Sequence, residues 1–279
     1  MNAISQVFPK FVGVTGLPRS GSTLLCQLLA QHPEIACEGR SSPLCTSLLA
    51  MRHHISDDAF FLAQLDADFD GSYARLAKAM RGFLHGWFPD CKKALVVDKS
   101  RAWLQAVETL LHIEPDAKLI VCLRDLGQIY GSIEEQHQRT ILLDFADHLA
   151  DADRFGRAGQ LFALDKTIGM PLNALHAVAE LPKKVQEKLY FLRFEDLMEQ
   201  PAHCMSHLFS WLGLGPHKID PENIGTGTQE SDSHYRMKYL HRQRTRIVKP
   251  ARHDIPARIQ AQIDASGAWY NRQYYANRR

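Results

Sequence analysis

The sequence lacks the features that mark several large classes of protein. No stretch approaches the ~18 consecutive apolar residues that indicate a membrane-spanning helix. The first residues, MNAISQVFPKF, do not contain the apolar core of a secretion signal. We therefore expect a soluble, cytoplasmic protein without a membrane span. A formal charge of +2 over 279 residues is also too small to indicate a nucleic-acid partner.

Cysteine is scarce, and its spacing excludes two common roles. The six cysteines form no CxxC pair and no zinc-like pattern. Cys122 lies within an apolar, strand-like run, and Cys26 lies on the apolar face of a predicted helix. We expect buried, reduced thiols that contribute to packing, and we predict no metal site.

The chain does contain enough apolar residues for a sizeable core, at 45% hydrophobic and 23% charged. Four short apolar runs rich in β-branched residues predict strands at 11–16, 94–98, 118–123 and 188–194. Helical periodicity predicts helices at 22–31, 103–113, 128–137, 171–179 and 202–212. The alternation of strands with helices predicts an α/β fold, in which helices flank a parallel sheet.

The remaining segments complete the predicted organisation. A long helical insertion is expected at about 44–87, and a lid or a loop with one helix at 140–170. The segment 234–253 is basic, with seven Lys or Arg residues and no acid between Arg236 and Arg252. It fits a cap over an anionic nucleotide, a face for acidic peptides, or a solvated helix. Without repeats or a linker, the whole of 1–279 is predicted to form a single domain.

The first predicted strand runs into GLPRSGST, residues 16–23, where a helix begins. Backbone N–H groups at the start of a helix, together with the helix dipole, attract an anion. The spacing matches the nucleoside triphosphatase pattern G-x-x-x-x-G-K-[ST], except that Ser22 replaces the lysine. That lysine normally neutralises the β- and γ-phosphates, so its absence argues against ATP or GTP. Arg19 supplies a cation suited to a shorter anion.

Two segments of the chain resemble motifs of one enzyme family. LPRSGSTLL resembles the 5′-phosphosulfate loop of sulfotransferases that use 3′-phosphoadenosine 5′-phosphosulfate (PAPS), above all the tyrosylprotein branch and its bacterial relatives. LIVCLRDLGQIYGSIEEQH resembles their 3′-phosphate motif, with Arg124 closing a strand and Ser132 on the next helix. A guanidinium and a hydroxyl placed in this way can bind one phosphate dianion. The resemblance implies a nucleotide-kinase-like sulfotransferase fold, PAPS as the donor and no metal.

The same resemblance assigns roles to further residues. Those expected to hold the phosphosulfate in the loop are Arg19, Ser20, Gly21, Ser22 and Thr23. Val97-Asp98-Lys99 matches the strand-end lysine of the branch, so Lys99 and Arg19 are expected to stabilise the leaving phosphate. Lys249, within an I-V-K-P segment, is expected to reach the phosphosulfate.

The chain departs from the branch at two contacts with the donor. Phe194 stands where the branch has a tyrosine, and we expect its ring to stack on adenine. Gln136 stands in place of a second arginine on the 3′-phosphate helix, and Arg139 is close enough in sequence to substitute for it.

Three residues are candidates for the base that removes the acceptor proton. The branch keeps a glutamate after the first helix, whereas this chain reads CEGRSSP at 37–43, which we interpret as a loop. A gapless alignment places Arg40 at the position of the base, so Glu38 is the leading candidate only if the loop differs. Asp98 and His234 are the alternatives, the latter because imidazole titrates near neutral pH.

The resemblance to the tyrosylprotein branch implies that the acceptor is a tyrosine in an acidic protein or peptide, which the basic segment would attract. A glycan, a lipid or a small phenol remains an alternative acceptor.

Two other classes of protein compete with a sulfotransferase. A nucleotide or small-molecule kinase would use ALVVD, residues 94–98, as a magnesium-binding strand. A non-catalytic nucleotide-binding protein would keep the phosphate loop without a base.

Overall fold

A five-stranded parallel sheet forms the centre of the protein, as described here from a computed structural model for residues 8–88, 91–144, 148–225 and 244–276. The strands are β1 Lys10–Gly16, β2 Ile35–Ser41, β3 Leu95–Lys99, β4 Lys118–Leu123 and β5 Leu189–Arg193. Their order across the sheet is β2-β3-β1-β4-β5, and every neighbouring pair is parallel. This architecture confirms the predicted α/β fold.

Helices cover both faces of the sheet. Their bounds are α1 Ser22–Leu29, α2 Leu44–Ser56, α3 Ala59–Ala67, α4 Phe69–Gly86, α5 Val107–Ile113, α6 Leu126–Arg139, α7 Arg154–Phe162, α8 Gly169–Ala179, α9 Lys183–Gln186, α10 Phe194–Glu199, α11 Pro201–Leu212, α12 Ala257–Ser266 and α13 Ala268–Tyr274. None of these helices combines the length and the apolar character needed to cross a membrane.

The central strands show why their sequences read as unbroken apolar runs. β1 lies between β3 and β4, with Val14 opposite Lys99 on one side and Ile120 on the other. Val14 and Ile120 are both fully buried, because helices cover each face of the sheet. A strand buried on both faces has no solvent side, so its sequence lacks the polar alternation of a half-exposed strand.

The structure corrects the prediction for residues 37–43, which were expected to form a loop. Residues 37–41 belong to β2 instead. β2 is an edge strand that pairs only with β3, and its register shifts between Cys37 and Ser41. Gly39 lies within this irregularity with a positive φ of 77°. An edge strand with one exposed side tolerates the polar residues of CEGRS, so no apolar run marks it. The predicted helix at 103–113 is likewise divided into a 3-10 turn at 101–105 and α5.

Two segments that were predicted to contain helices do contain them. The insertion at 44–87 consists of three consecutive helices, α2, α3 and α4. Within 140–170, α7 buries Ala158 and Leu161 in the core shared with α6 and α12. Of the basic segment 234–253, the part at 234–243 lies outside the described residues. The part at 244–253 is not helical.

The connections of the two central strands create a crevice at the carboxyl end of the sheet. α1 follows β1 and packs on one face with α11, through Leu25, Leu28 and Phe209. α6 follows β4 and packs on the opposite face. When adjacent parallel strands send their helices to opposite faces, a crevice opens between the strand ends, and ligands of α/β proteins bind there.

Gly16, at the end of β1, provides a test of this packing. Its φ is 126°, and a Cβ at this position would lie 2.2 Å from the carbonyl oxygen of Cys122 on β4. We expect Gly16→Ala to lower the free energy of unfolding by roughly 1–3 kcal/mol, because the clash is with backbone that cannot move aside. The midpoint of urea denaturation measures the change.

Gly82, in the interior of α4, is the matched control. A Cβ there would meet nothing within 4 Å. Gly82→Ala should therefore raise the free energy of unfolding by roughly 0.5–1 kcal/mol, through the lower conformational entropy of the unfolded chain. Equal denaturation midpoints for the two variants would contradict the packing described for β1 and β4.

Candidate active site

The segment between β1 and α1 presents unsatisfied backbone donors at the crevice. Gly21 is the N-cap residue of α1, with φ 85° and no side-chain cap, and no acid lies in the first helical turn. The Ser20 hydroxyl turns inward and donates to the Leu17 carbonyl at 2.5 Å, which stabilises the loop itself. The first N–H groups of α1 are therefore available to an anion, and the helix dipole adds to the attraction.

Arg19 connects this loop to α6. Its φ of 58° lies in the left-handed region, which is unfavourable for a residue with a side chain. The guanidinium of Arg124 donates to the Arg19 carbonyl oxygen at 2.8 Å and holds the backbone in this conformation. The Arg19 Nε then donates to the Ser132 Oγ at 3.0 Å. The two segments predicted to bind separate phosphates are thus in direct contact.

Arg124 follows β4 and is fixed from several sides. The hydroxyl of Tyr270 accepts a hydrogen bond from the Arg124 backbone N–H at 3.1 Å and donates one to its carbonyl oxygen at 2.9 Å. The guanidinium lies over the ring of Phe194, 4.5 Å from its centroid. Burial lowers the pKa of Arg124, partly offset by the neighbouring Glu195 carboxylate. An arginine remains protonated despite such a shift, so the crevice contains a fixed, poorly hydrated cation.

These residues line a cavity of about 510 Å³, which we call the loop cavity. Seven of the nine residues predicted to bind the donor line this cavity, and the strap, the segment 244–253, closes one side of it. The charged groups along its wall are Arg19, Arg124, Arg139, Arg244, Arg246, Arg252, His253 and Glu135. With six arginines against one carboxylate among the described lining residues, this cavity suits a ligand with several negative charges.

The seven predicted residues that line the loop cavity are Arg19, Gly21, Ser22, Thr23, Arg124, Ser132 and Phe194. The two remaining donor-binding predictions lie elsewhere. Ser20 is buried within the loop. Lys249 lines an adjoining cavity of about 800 Å³, which shares Arg124, Phe194 and Arg252 with the loop cavity, and its Nζ is 3.7 Å from the Glu199 carboxylate.

Lys99, the last residue of β3, lines a smaller cavity of about 220 Å³ on the other side of the loop. Its Nζ donates to the Thr23 Oγ1 at 3.2 Å, so the ammonium group lies beside the start of α1. Ser41, Ser42 and Arg101 form much of the remaining wall of this Lys99 cavity. Arg19 and Ser22 line both cavities, which therefore meet at the loop.

Asp98, the second candidate base, points into the protein. It is 3% exposed and accepts a hydrogen bond from the Trp103 Nε1 at 2.7 Å. Burial raises the pKa of Asp98, and hydrogen bonds from Ser42 and Trp103 oppose the shift. Asp98 is not one of the described residues that line the Lys99 cavity. These contacts favour a structural role, in which Asp98 orients the 3-10 turn and the start of α2.

The other two candidate bases occupy different surroundings. Glu38 lies on β2 with its side chain 73% exposed, and its carboxylate is 3.8 Å from the Arg40 guanidinium. It is not one of the described residues that line the loop cavity or the Lys99 cavity. His234 lies outside the described residues.

Sequence reasoning missed residues that support the site from a distance. Tyr270 on α13 clamps Arg124 across 146 positions of sequence, and no local pattern indicates that pairing. Gln128 holds the strap, because its side-chain amide bonds both the N–H and the carbonyl of His253. Ser41 and Ser42 are small polar residues before a proline, and this was a local signal. Their place in the wall of the Lys99 cavity depends on β2, which the sequence did not indicate.

The comparisons with known proteins agree with this geometry. The model of the sulfotransferase family matches residues 11–217, and the chain belongs to that family. The match spans β1, the loop, Lys99, Arg124, Ser132 and Phe194. The recognition of a sulfotransferase from the two phosphate motifs is therefore confirmed at the level of the family.

Among characterised proteins, the chain is similar to the nodulation protein NoeE of Sinorhizobium fredii (strain NBRC 101917 / NGR234). The two are 24% identical over 225 residues, which is 76% of this chain and 52% of NoeE. The chain thus spans about half the length of that relative. Among solved structures, a sulfotransferase from Alicyclobacillus acidocaldarius has a TM-score of 0.52 at 16% identity, covering 98% of this chain and 100% of the other. This likeness supports the fold.

Asp98→Asn tests whether this carboxylate is structural. The raised pKa means that the folded protein favours the protonated form, so ionisation of Asp98 lowers stability as the pH rises through its folded pKa. Asparagine keeps an acceptor for Trp103 without the charge. We expect the variant to be more stable than the wild type at pH 8, by on the order of 1 kcal/mol. The gain should shrink as the pH falls towards 4.

Thermal unfolding of both proteins between pH 4 and pH 8 measures this difference, and Asp254→Asn, at an exposed position immediately after the strap, is the control. Greater stability of the wild type at every pH would show that the ionised carboxylate is required by its surroundings.

Proposed function

We propose that the protein transfers the sulfuryl group of PAPS to a hydroxyl group, and that the acceptor is a tyrosine in an acidic protein or peptide. The donor and the acceptor rest on different observations. The donor follows from the loop cavity, whereas the acceptor depends on the resemblance to the tyrosylprotein branch and on the charge around Lys99.

One observation supports the donor above all others, namely the hydrogen bond between the Arg19 Nε and the Ser132 Oγ at 3.0 Å. It brings the loop at the start of α1 and the pair formed by Arg124 and Ser132 to one cavity. A nucleotide with phosphates at both its 5′ and its 3′ position can bind the loop with the first phosphate and the pair of Arg124 and Ser132 with the second. Phe194 and Ile224 add apolar surface to the same cavity, which suits a purine ring.

Sulfuryl transfer requires in-line attack by the acceptor oxygen on sulfur, while the bond from sulfur to the 5′-phosphate oxygen breaks. The electron pair of that bond passes to the leaving phosphate, so cations near that oxygen lower the barrier. Arg19, Lys99 and the N–H groups of α1 lie on the two sides of the loop where this charge would develop. We therefore propose that Arg19, Lys99 and the N–H groups of α1 stabilise the leaving phosphate.

For the base we retain Glu38. It lies three residues before Ser41, which lines the Lys99 cavity, and the irregular stretch of β2 separates the two. The Glu38 carboxylate is exposed and can accept a proton from a substrate bound at the surface. The buried Asp98 has no such access, because its oxygens face Trp103 and Ser42.

A tyrosine acceptor suits this arrangement on two grounds. A phenol has a pKa near ~10, so its proton is removed more easily than that of a sugar hydroxyl. Lys99, Arg101 and Arg19 all border the Lys99 cavity, and cations in this position attract acidic residues beside a substrate tyrosine.

A nucleotide kinase is a weaker alternative. Its magnesium-binding carboxylate would be Asp98 at the end of β3. That carboxylate is instead buried and bonded to Trp103, and Ser22 occupies the loop position of the phosphate-binding lysine.

Arg124→Ala tests the donor assignment. Adenosine 3′,5′-bisphosphate carries the 3′-phosphate that Arg124 would bind, whereas 5′-AMP lacks it. We expect the variant to lose roughly 1.5–3 kcal/mol of affinity for the bisphosphate, about 10- to 150-fold. The loss for 5′-AMP should be smaller, because that ligand loses only the support that the guanidinium gives to the Arg19 carbonyl. Isothermal titration calorimetry measures both. Arg52→Ala is the control, since Arg52 is exposed on α2, donates to Thr109 and lines none of the three cavities described above. Equal losses for the two nucleotides would contradict the assignment.

Transfer of labelled sulfate from PAPS tests the whole function. Tyrosyl peptides with acidic neighbours should be sulfated, and replacement of those acids by Asn and Gln should raise KM, because the attraction to the basic border is lost. Added salt should raise KM for the acidic peptide but hardly for the neutral one. Sulfation of sugars or small phenols, with all acidic tyrosyl peptides unmodified, would overturn the acceptor and leave the donor assignment intact.

A further inference from the structure

His253 is a titratable residue in the loop cavity to which neither the sequence motifs nor the family match gives a role. It lies on the strap, beyond residue 217 where the family match ends. Its side chain is only 19% exposed. The side-chain amide of Gln128 fixes its backbone, accepting from the His253 N–H at 2.8 Å and donating to the His253 carbonyl at 3.1 Å. These two contacts fix the backbone of the strap at residue 253.

The imidazole lies against α6 beside the serine that is proposed to bind the 3′-phosphate. A Cβ at Gly131 would lie 2.4 Å from the His253 Cβ, so only glycine allows the strap to come this close. Ser132 is the next residue, and both Ser132 and His253 line the loop cavity. The His253 Nδ1 is 3.5 Å from the Glu135 carboxylate, one helical turn further along.

The charges around His253 come from three elements. Glu135 on α6 favours the imidazolium, whereas Arg124 at the end of β4 and Arg19 in the loop disfavour it. Arg252 and Asp254 flank it in the sequence. Burial is the largest influence, and the pKa of His253 lies below its usual value of 6.5. Near neutral pH the imidazole of the empty site is therefore mostly uncharged.

We infer that His253 is a ligand for the 3′-phosphate of the nucleotide and that it takes up a proton when the nucleotide binds. This inference rests on the proposed function, because it requires a nucleotide with a 3′-phosphate in the loop cavity. A phosphate dianion beside Ser132 would reverse the local potential created by Arg19 and Arg124. The imidazole then becomes a cation and donates a charge-assisted hydrogen bond to the phosphate.

The sign of the pH dependence follows from this coupling. The bound state holds the proton more tightly than the free state, so affinity falls as the pH rises through the interval between the two pKa values of His253. For one coupled proton the slope approaches tenfold per pH unit. The 3′-phosphate itself loses charge below about pH 6, which weakens binding at lower pH. This loss of phosphate charge is a property of the nucleotide, so it weakens binding to the wild type and to every variant equally.

Calorimetric titration of adenosine 3′,5′-bisphosphate in buffers of different ionisation enthalpy measures the proton uptake directly. The wild type should take up a substantial fraction of one proton per nucleotide at pH 7 beyond the value found for His253→Gln. At pH 6, His253→Gln should bind roughly tenfold or more weakly, because it lacks the charged donor. 5′-AMP, which lacks the 3′-phosphate, should show no such difference between the two proteins.

Two further variants make the result specific. His253→Lys carries a permanent cation and should keep its affinity for the bisphosphate while losing the additional proton uptake. His207→Gln, at an exposed position on α11, should behave as the wild type does. Circular dichroism checks that each variant is folded, and the Gln128 contacts to the backbone of residue 253 do not depend on its side chain.

The outcomes separate this inference from the proposed function. If the bisphosphate binds the wild type but proton uptake is equal in the wild type and His253→Gln, the role of His253 is wrong and the donor assignment stands. If the bisphosphate does not bind the wild type at millimolar concentration, the proposed function itself fails.

Discussion

The position of the Arg124 guanidinium is the constraint on which the rest of the site depends. It donates to the carbonyl of Arg19, lies over Phe194, and is anchored through its own backbone by Tyr270. Each contact connects a different part of the chain to the end of β4. Because the guanidinium is buried, it is poorly hydrated, and an anion that reaches it displaces little bound water. The fold thus holds a buried cation at the crevice.

This constraint explains why the loop adopts an unfavourable conformation at Arg19. A residue with a side chain in the left-handed region costs on the order of 1 kcal/mol or more. The hydrogen bond from Arg124 holds the backbone there, and the Arg19 side chain then points to Ser132. The same geometry leaves the first N–H groups of α1 facing the cavity. Backbone strain, exposed donors and neighbouring cations together form a cationic cavity, which is the site that we propose for an anion with two separated phosphate groups.

The order of the strands determines how the reactive groups are divided. β1 lies between β3 and β4, so the loop that follows it has Lys99 on one side and Arg124 on the other. The proposed nucleotide site and the proposed acceptor site therefore share Arg19 and Ser22 as a common wall. The strap closes the nucleotide side, and its position depends on Gln128, which lies on the helix that follows Arg124.

The sequence by itself determined what short-range chemistry specifies. Continuous apolar runs identified the strands that are buried on both faces. The loop and strand-end motifs identified the sulfotransferase family and predicted that Arg19, Arg124 and Ser132 act together. Only the tertiary structure decided β2, because an edge strand with a bulge carries no apolar signature. It also decided the inward direction of Asp98, the clamp by Tyr270 and the approach of His253 to α6. These depend on contacts between residues far apart in the chain, and no local pattern of residues encodes such distances.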